Sequence, residues 1–272
     1  MLDSKKKKIE YIIALVGLVG FLGWFYYIHR FSLESTENIR QLWASLYQAM
    51  AIYGAVIGFI VSRNWGGHRS LIGKAILFFS FSLLFQSIGQ SATSFYIYFE
   101  KISTPYPSMG DVGFFGSTIC YILGASYLAK SSGLRFSFKS LKGKVLTLLI
   151  PVVALISSYS FFLKGYEFDW SNPLKIFLDF GYPLGDATYI SITLLTFVLC
   201  KSFLGGIMRK PILFLSIALT FQYIADFMFL YQASKGTWYV GGINDFMYFV
   251  SYFLMTIGLI YIGSAFEKIK NS

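Results

Sequence analysis

Five aspartates sit inside or at the rim of strongly apolar runs: Asp111, Asp179, Asp186, Asp226 and Asp245. Each is followed three residues on by an aromatic, in DVGF, DFGY, DATY, DFMF and DFMY. On a helix, positions i and i+3 share a face, so every carboxylate has a ring beside it. An ionised carboxylate in hydrocarbon costs at least roughly 2.5–3.5 kcal/mol, so these side chains are expected to face a bundle interior rather than lipid. There they could bind a proton or a cation, or, as a pair sharing one proton, do acid–base work.

The spacing groups them further. Asp179 and Asp186 are seven apart and share a face with Tyr182 and Tyr189, while Gln222 and Asp226 are an i, i+4 pair. Gln86, Ser87, Gln90 and Ser94 add polar groups to an earlier apolar run. The expectation is an outward-facing polar pocket lined by Asp111, Asp179, Asp186, Asp226, Asp245, Tyr182, Tyr189, Gln90 and Gln222, each carboxylate shielded from lipid by its own i+3 ring. A structural role competes with this reading. Asp111 in PSMGD and Asp245 in GIND stand where helices should begin, and an aspartate there caps the helix and complements its dipole. Asp186 and Asp226 lie too deep to cap, and for them the competing role is hydrogen bonding between helices. The rings could equally serve packing or an interfacial belt.

The elements that must carry these residues follow from composition. The 272-residue chain is 56% hydrophobic, 20% aromatic and 13% charged, with mean hydropathy +0.60. Soluble domains carry about 25% charged residues, so the chain reads as an integral membrane protein. Windows of membrane-spanning length predict an all-α, polytopic bundle of about eight transmembrane helices, roughly 9–28, 43–62, 72–98, 109–129, 144–163, 174–200, 211–231 and 245–265, forming one domain over 1–272. The basic start and following apolar run at the N-terminus are read as a retained first helix, because bulky aromatics continue it without a small-x-small cleavage site. Asn172 before Pro173 is an N-cap signal. Pro183 should kink the sixth helix, and Gly54 and Gly58 form a GxxxG that permits close helix contact.

The net charge of +10 is a topology signal, not a nucleic-acid one. Segments alternating along the chain hold 17 of the 23 basic residues on one side and 6 on the other. The positive-inside rule then predicts cytoplasmic N- and C-termini in a plasma-membrane protein. The lipid bilayer is the expected partner, with the basic loop 130–144 as the natural contact for a signalling partner, and no nucleic acid. Two cysteines, Cys120 and Cys200, fall in apolar runs and read as buried thiols, and two histidines, His29 and His68, lie outside them. No metal site, cofactor or catalytic residue is assigned. P-loop, serine-hydrolase and zinc-hydrolase signatures are absent, and no lysine sits mid-span for a retinal Schiff base.

Three longer stretches carry a family resemblance. PYPSMGDVGFFGSTICYILG contains a Pro-Ser-x-x-Asp helix start, YPLGDATYISITLL a Tyr-Pro-x-x-Asp helix, and YIADFMFLYQASKGTWYVGGINDFMYFVSYFLMTIGL a hairpin with an aspartate in each arm and a glycine-rich loop between. In order and spacing, over roughly residues 85–265, this resembles the multi-helix N-terminal input regions of some bacterial GGDEF/EAL cyclic-di-GMP signalling proteins. The resemblance implies Asp111, Asp186, Asp226 and Asp245 as the pattern positions, in a membrane sensor module. No GGDEF or EAL domain follows the last helix, so the module is expected to stand alone and signal through a partner. A sensor or receptor-like role is therefore the first expectation. A proton- or cation-coupled carrier is the second, because the carboxylates lack basic partners. An intramembrane hydrolase using Asp186 and Asp226 is the third, although PLGD is not the GxGD of intramembrane aspartyl proteases.

Overall fold

A computed structural model describes residues 2–31, 37–132, 141–199 and 207–270. Among them the chain is helical throughout, with no strand. Nine α-helices follow in order: α1 (Leu2–Arg30), α2 (Glu37–Leu46), α3 (Ala49–Asn64), α4 (Leu71–Phe95), α5 (Met109–Ser131), α6 (Leu141–Ser158), α7 (Pro173–Leu199), α8 (Arg209–Ser234) and α9 (Ile243–Lys270). π-Helical turns extend α4 through Tyr96–Glu100 and α6 through Tyr159–Leu163.

Among the described residues seven segments are long and apolar enough to cross a membrane: Lys7–Arg30, Glu37–Asn64, Leu71–Glu100, Met109–Ser131, Lys144–Leu163, Arg209–Ser234 and Ile243–Lys270. The protein is thus a helical, multi-pass membrane protein in contact with lipid. The expected helix 43–62 begins earlier and is interrupted, because a turn at residues 47–48 separates α2 from α3. The expected sixth helix exists as α7, 27 residues long. It carries Asp179, Asp186 and Lys175, and so holds two of the five aspartates.

Helix ends follow local chemistry. Asn172 Oδ1 accepts the Lys175 amide at 3.1 Å, so Pro173 opens α7 behind a working cap. Ser70 caps α4 by accepting the Gly73 amide at 2.8 Å. α7 runs through Pro183 as one element.

The core is built around α9, the most deeply buried of the seven segments. α3 wedges between α4 and α9: a Cβ on Gly54 would strike Thr256 and Leu83, and one on Gly58 would strike Ser80. The GxxxG glycines therefore serve close packing against two helices at once. α4 and α5 approach more closely still, since a Cβ on Gly113 would meet the backbone of Phe85 and Gly89. α1 is held at the edge by an aromatic cluster in which Trp43 donates to the Phe21 carbonyl at 3.0 Å and Phe25 stacks on Phe246. α6 is peripheral, with Leu148, Val153 and Ile156 exposed as a lipid-facing helix requires.

Candidate functional site

Asp111, Asp179, Asp226 and Asp245 fall toward the end of the bundle that carries loops 101–108, 164–172 and 235–242, and Asp186 lies midway along α7. The structure sorts them into three at the rim and two inside.

At the rim, Asp111 closes a capping box at the start of α5. Its Oδ2 accepts the Ser108 amide at 2.7 Å, while Ser108 Oγ accepts the Gly110 amide at 3.1 Å. Its other oxygen accepts the Tyr182 hydroxyl from α7 at 2.7 Å. Asp179 accepts two hydroxyls, from Tyr106 at 2.8 Å and Tyr166 at 2.6 Å, and so ties two loops to α7. That bond pushes the Tyr166 hydroxyl up to about 12, and burial together with the same carboxylate pushes the Tyr106 hydroxyl up as well. Both remain donors at any physiological pH. In the 164–172 loop, Asp169 is held below the usual carboxylate range by hydrogen bonds from the Ser171 hydroxyl and amide.

Asp245, in the first turn of α9, turns back on its own loop and accepts the Gly241 amide at 2.6 Å. Gly241 has a φ of 73°, and a Cβ there would collide with Arg40, so both conformation and space require glycine. The capping role weighed for Asp111 is present in full. At Asp245 the carboxylate instead fastens the loop leading into the helix.

Inside the bundle, Asp226 on α8 is the acceptor at the centre of three helices. Oδ2 takes the Tyr189 hydroxyl from α7 at 2.8 Å, Oδ1 takes the Tyr248 hydroxyl from α9 at 2.9 Å, and Gln222 Nε2 reaches both oxygens at 3.1 and 3.3 Å. Gln222 is positioned in turn by Ser251, whose hydroxyl meets its Oε1 at 3.0 Å. Asn244 pins the same stretch by donating to the Ala225 carbonyl at 2.7 Å.

Asp186 is different. It is 3% exposed, and its Oδ1 is buried without a hydrogen-bond partner. It lies within electrostatic reach of Asp226, Tyr121, Tyr189 and Tyr223. Tyr121 on α5 is 1% exposed, its hydroxyl lies beside Ser82, and its ring meets that of Tyr189 at 5.5 Å. A buried polar atom left unpaired costs about 1–3 kcal/mol, so the free Asp186 oxygen beside a second carboxylate marks a place built for something more than packing.

No basic side chain relieves the pair. The ion pair among the described residues is Lys7–Glu10 at 2.8 Å, in α1. Lys175, the nearest basic residue in sequence to Asp179, is not its partner; the two tyrosines are. Among the described residues no group of three or more His, Cys, Asp or Glu side chains is arranged to hold a metal ion. The donor set at Asp186 and Asp226 is two carboxylates and phenol hydroxyls, which suits a proton or a single hydrated cation.

Three of the five i+3 rings carry a hydroxyl that bonds to the aspartate of another helix. Tyr182, three residues after Asp179, donates to Asp111, while Tyr189 and Tyr248, three residues after Asp186 and Asp245, both donate to Asp226. The rings cross to the neighbouring helix because a helical side chain leans off its own axis toward the packed partner. Phe114 and Phe229 complete the five-fold pattern without donating: Phe114 packs on Gly89, and Phe229 meets Trp238 edge to face at 5.7 Å.

The glutamines of α4 belong to adjoining junctions. Gln86 donates to Ser117 at 2.8 Å and accepts the Tyr252 hydroxyl at 2.9 Å, linking α4, α5 and α9. Gln90 binds the Ala44 carbonyl at 3.0 Å and accepts Tyr47 at 3.4 Å, so it fastens α2 rather than meeting an aspartate. The hydroxyls of Ser87 and Ser94 bond to carbonyls of their own helix. A groove of about 490 Å³ opens elsewhere, lined by residues that include Glu37, Gln41, Lys101 and Val240 and by none of the five aspartates. Cys120 is a buried free thiol. Cys200 and most of loop 130–144 lie outside the described residues.

Tyr106, Tyr121, Tyr166, Tyr248 and Tyr252 are site residues that the sequence reading did not select. The signal available was chemical type: of the five i+3 aromatics, the three tyrosines are the ones that donate to a carboxylate. Comparison with protein-family models, curated proteins and solved structures finds no match to this chain.

Proposed function

We propose that the protein is a membrane-embedded sensor or receptor-like module in which proton or cation occupancy of the Asp186–Asp226 pair sets the packing of α5, α7, α8 and α9. The observation that carries this reading is the asymmetry of the pair: Asp226 is saturated by three donors from three helices, and its neighbour Asp186 holds a buried oxygen with none. Two carboxylates inside the bundle with no basic partner among the described residues repel when both are ionised, and a proton or cation relieves the repulsion. Because Tyr189 and Tyr248 bring α7 and α9 to the same carboxylate, a change of charge there is felt by all three helices.

The same reading has eight crossings, with α7 among them, and both termini in the cytoplasm of a plasma-membrane protein. The sequence resemblance to GGDEF/EAL input regions supports a signalling role, with loop 130–144 as the contact for a cytoplasmic partner. The test is a distance measurement at the far end of the bundle. Spin labels at Lys210→Cys and Lys268→Cys, in a Cys120→Ser/Cys200→Ser background, should report a distance change between neutral and mildly acidic pH, or on adding sodium, potassium or calcium. The change should vanish in Asp186→Asn. An unchanged distance across all conditions, with proton or cation flux in proteoliposomes, would replace the sensor reading by the carrier.

A further inference from the structure

At the opposite end of the bundle, two lysines share one ring. Lys74 Nζ on α4 and Lys130 Nζ on α5 each lie 5.4 Å from the centroid of Tyr127, so the two ammonium groups stand no farther apart than twice that distance. Phe78 stacks on the same ring at 5.6 Å with an interplanar angle of 6°. Neither lysine has a carboxylate partner among the described residues. Two like charges thus lie near one ring with no anion beside them, and attraction to a ring face is worth only about 0.5–1 kcal/mol at an exposed site.

Lys130 stands in the last turn of α5, where a cation complements the helix dipole, but a helix-end role does not account for Lys74. The C-terminal carbonyl of Leu128 on α5 already accepts the hydroxyls of Ser131 and Ser132, both at 2.8 Å. Lys74 stands in the first turn of α4, where the helix dipole disfavours a cation and favours an anion. The flanking Arg69 is exposed and has the same sign.

The surface beneath the lysines identifies the occupant. On α4, Leu71, Lys74, Phe78, Phe81 and Ile88 fall within one helical face, and Leu71, Phe81 and Ile88 are exposed. On α5, Ile119, Leu123, Tyr127 and Lys130 likewise share a face, and Ile119 is exposed. Each of two closely packed helices thus presents an apolar lane that ends in a lysine. A ligand that fits carries an anionic phosphate at one end and hydrocarbon at the other.

We infer that Lys74, Lys130 and Tyr127 form a binding site for the phosphate of an anionic phospholipid, its acyl chains lying along the lanes of α4 and α5. The ring holds the two ammonium groups together, and the lipid supplies the missing negative charge.

Native mass spectrometry of the full, detergent-purified chain offered phosphatidylglycerol or phosphatidylcholine tests this. The wild-type protein should retain phosphatidylglycerol in preference, and each of Lys74→Gln and Lys130→Gln should lower that preference about five-fold. The double variant should lose it, and Lys74→Arg/Lys130→Arg should restore it. Lys164→Gln/Lys175→Gln, the same change of charge at the aspartate end, should leave it intact. If the double variant does not fold, the single variants still give the reading. Equal preference in wild type and the Gln variants would overturn the site. Displacement of phosphatidylglycerol by inorganic phosphate at millimolar levels would overturn the lipid as occupant and leave a free-anion site.

Discussion

Asp111 at the rim and Asp186 in the interior carry the same side chain into opposite situations. Asp111 accepts the Ser108 amide with one oxygen and the Tyr182 hydroxyl with the other, and it begins a helix whose dipole favours its charge. Asp186 lies within α7, 3% exposed, with one oxygen unpaired and a second carboxylate nearby. The rim residue is explained by the fold it stabilises. The interior residue is a cost the fold bears, and such costs persist where occupancy by a ligand removes them. Asp226 stands between the two: it is half-buried between the helices, and it is as well supplied with donors as Asp111.

Substitutions should separate these roles by size. The largest loss is expected for Asp226→Ala, which strands the Tyr189 and Tyr248 hydroxyls and the Gln222 amide together. Unfolding in detergent should show a destabilisation of about 3 kcal/mol or more. Asp111→Ala removes a capping box and an inter-helix bond, for roughly 1–2 kcal/mol in the same assay. Tyr182→Phe removes only the donor to Asp111, for about 1 kcal/mol, and a double-mutant cycle with Asp111→Ala should show that the two losses do not add. Asp186→Asn should change stability at neutral pH least, within about 1 kcal/mol of wild type in either direction, because no hydrogen-bond partner is lost. A loss at Asp186 as large as that at Asp226 would erase the distinction between a structural acceptor and an open site.

Much of this was legible in the residues. The long apolar runs gave the helices, Asn172 before Pro173 gave the start of α7, and the burial cost of carboxylates turned the aspartates away from lipid. The partners were not legible, because i+3 spacing describes one helix and the bonds run between helices. Tyr248 follows Asp245 by three residues yet serves Asp226, and nothing in a single helix says which neighbour its face will meet. Gln90 illustrates the same limit: its polarity was visible, but its partners, Tyr47 and the Ala44 carbonyl, depend on the turn that breaks α2 from α3. The distinction between Tyr and Phe at the i+3 position carried more information than aromaticity did.

The most direct test is the thermal stability of the detergent-purified protein, measured against pH and against added sodium, potassium and calcium, for wild type and Asp186→Asn. All other carboxylates are common to the two proteins, so only the difference between their responses reports on the pair. The pair repels when both carboxylates are ionised, and a proton or a bound cation removes that repulsion. The wild-type midpoint should therefore rise on mild acidification or on addition of one of the cations, and the response should be absent or much smaller in Asp186→Asn. Identical responses in the two proteins would contradict the account and leave Asp186 as a buried side chain without a binding role.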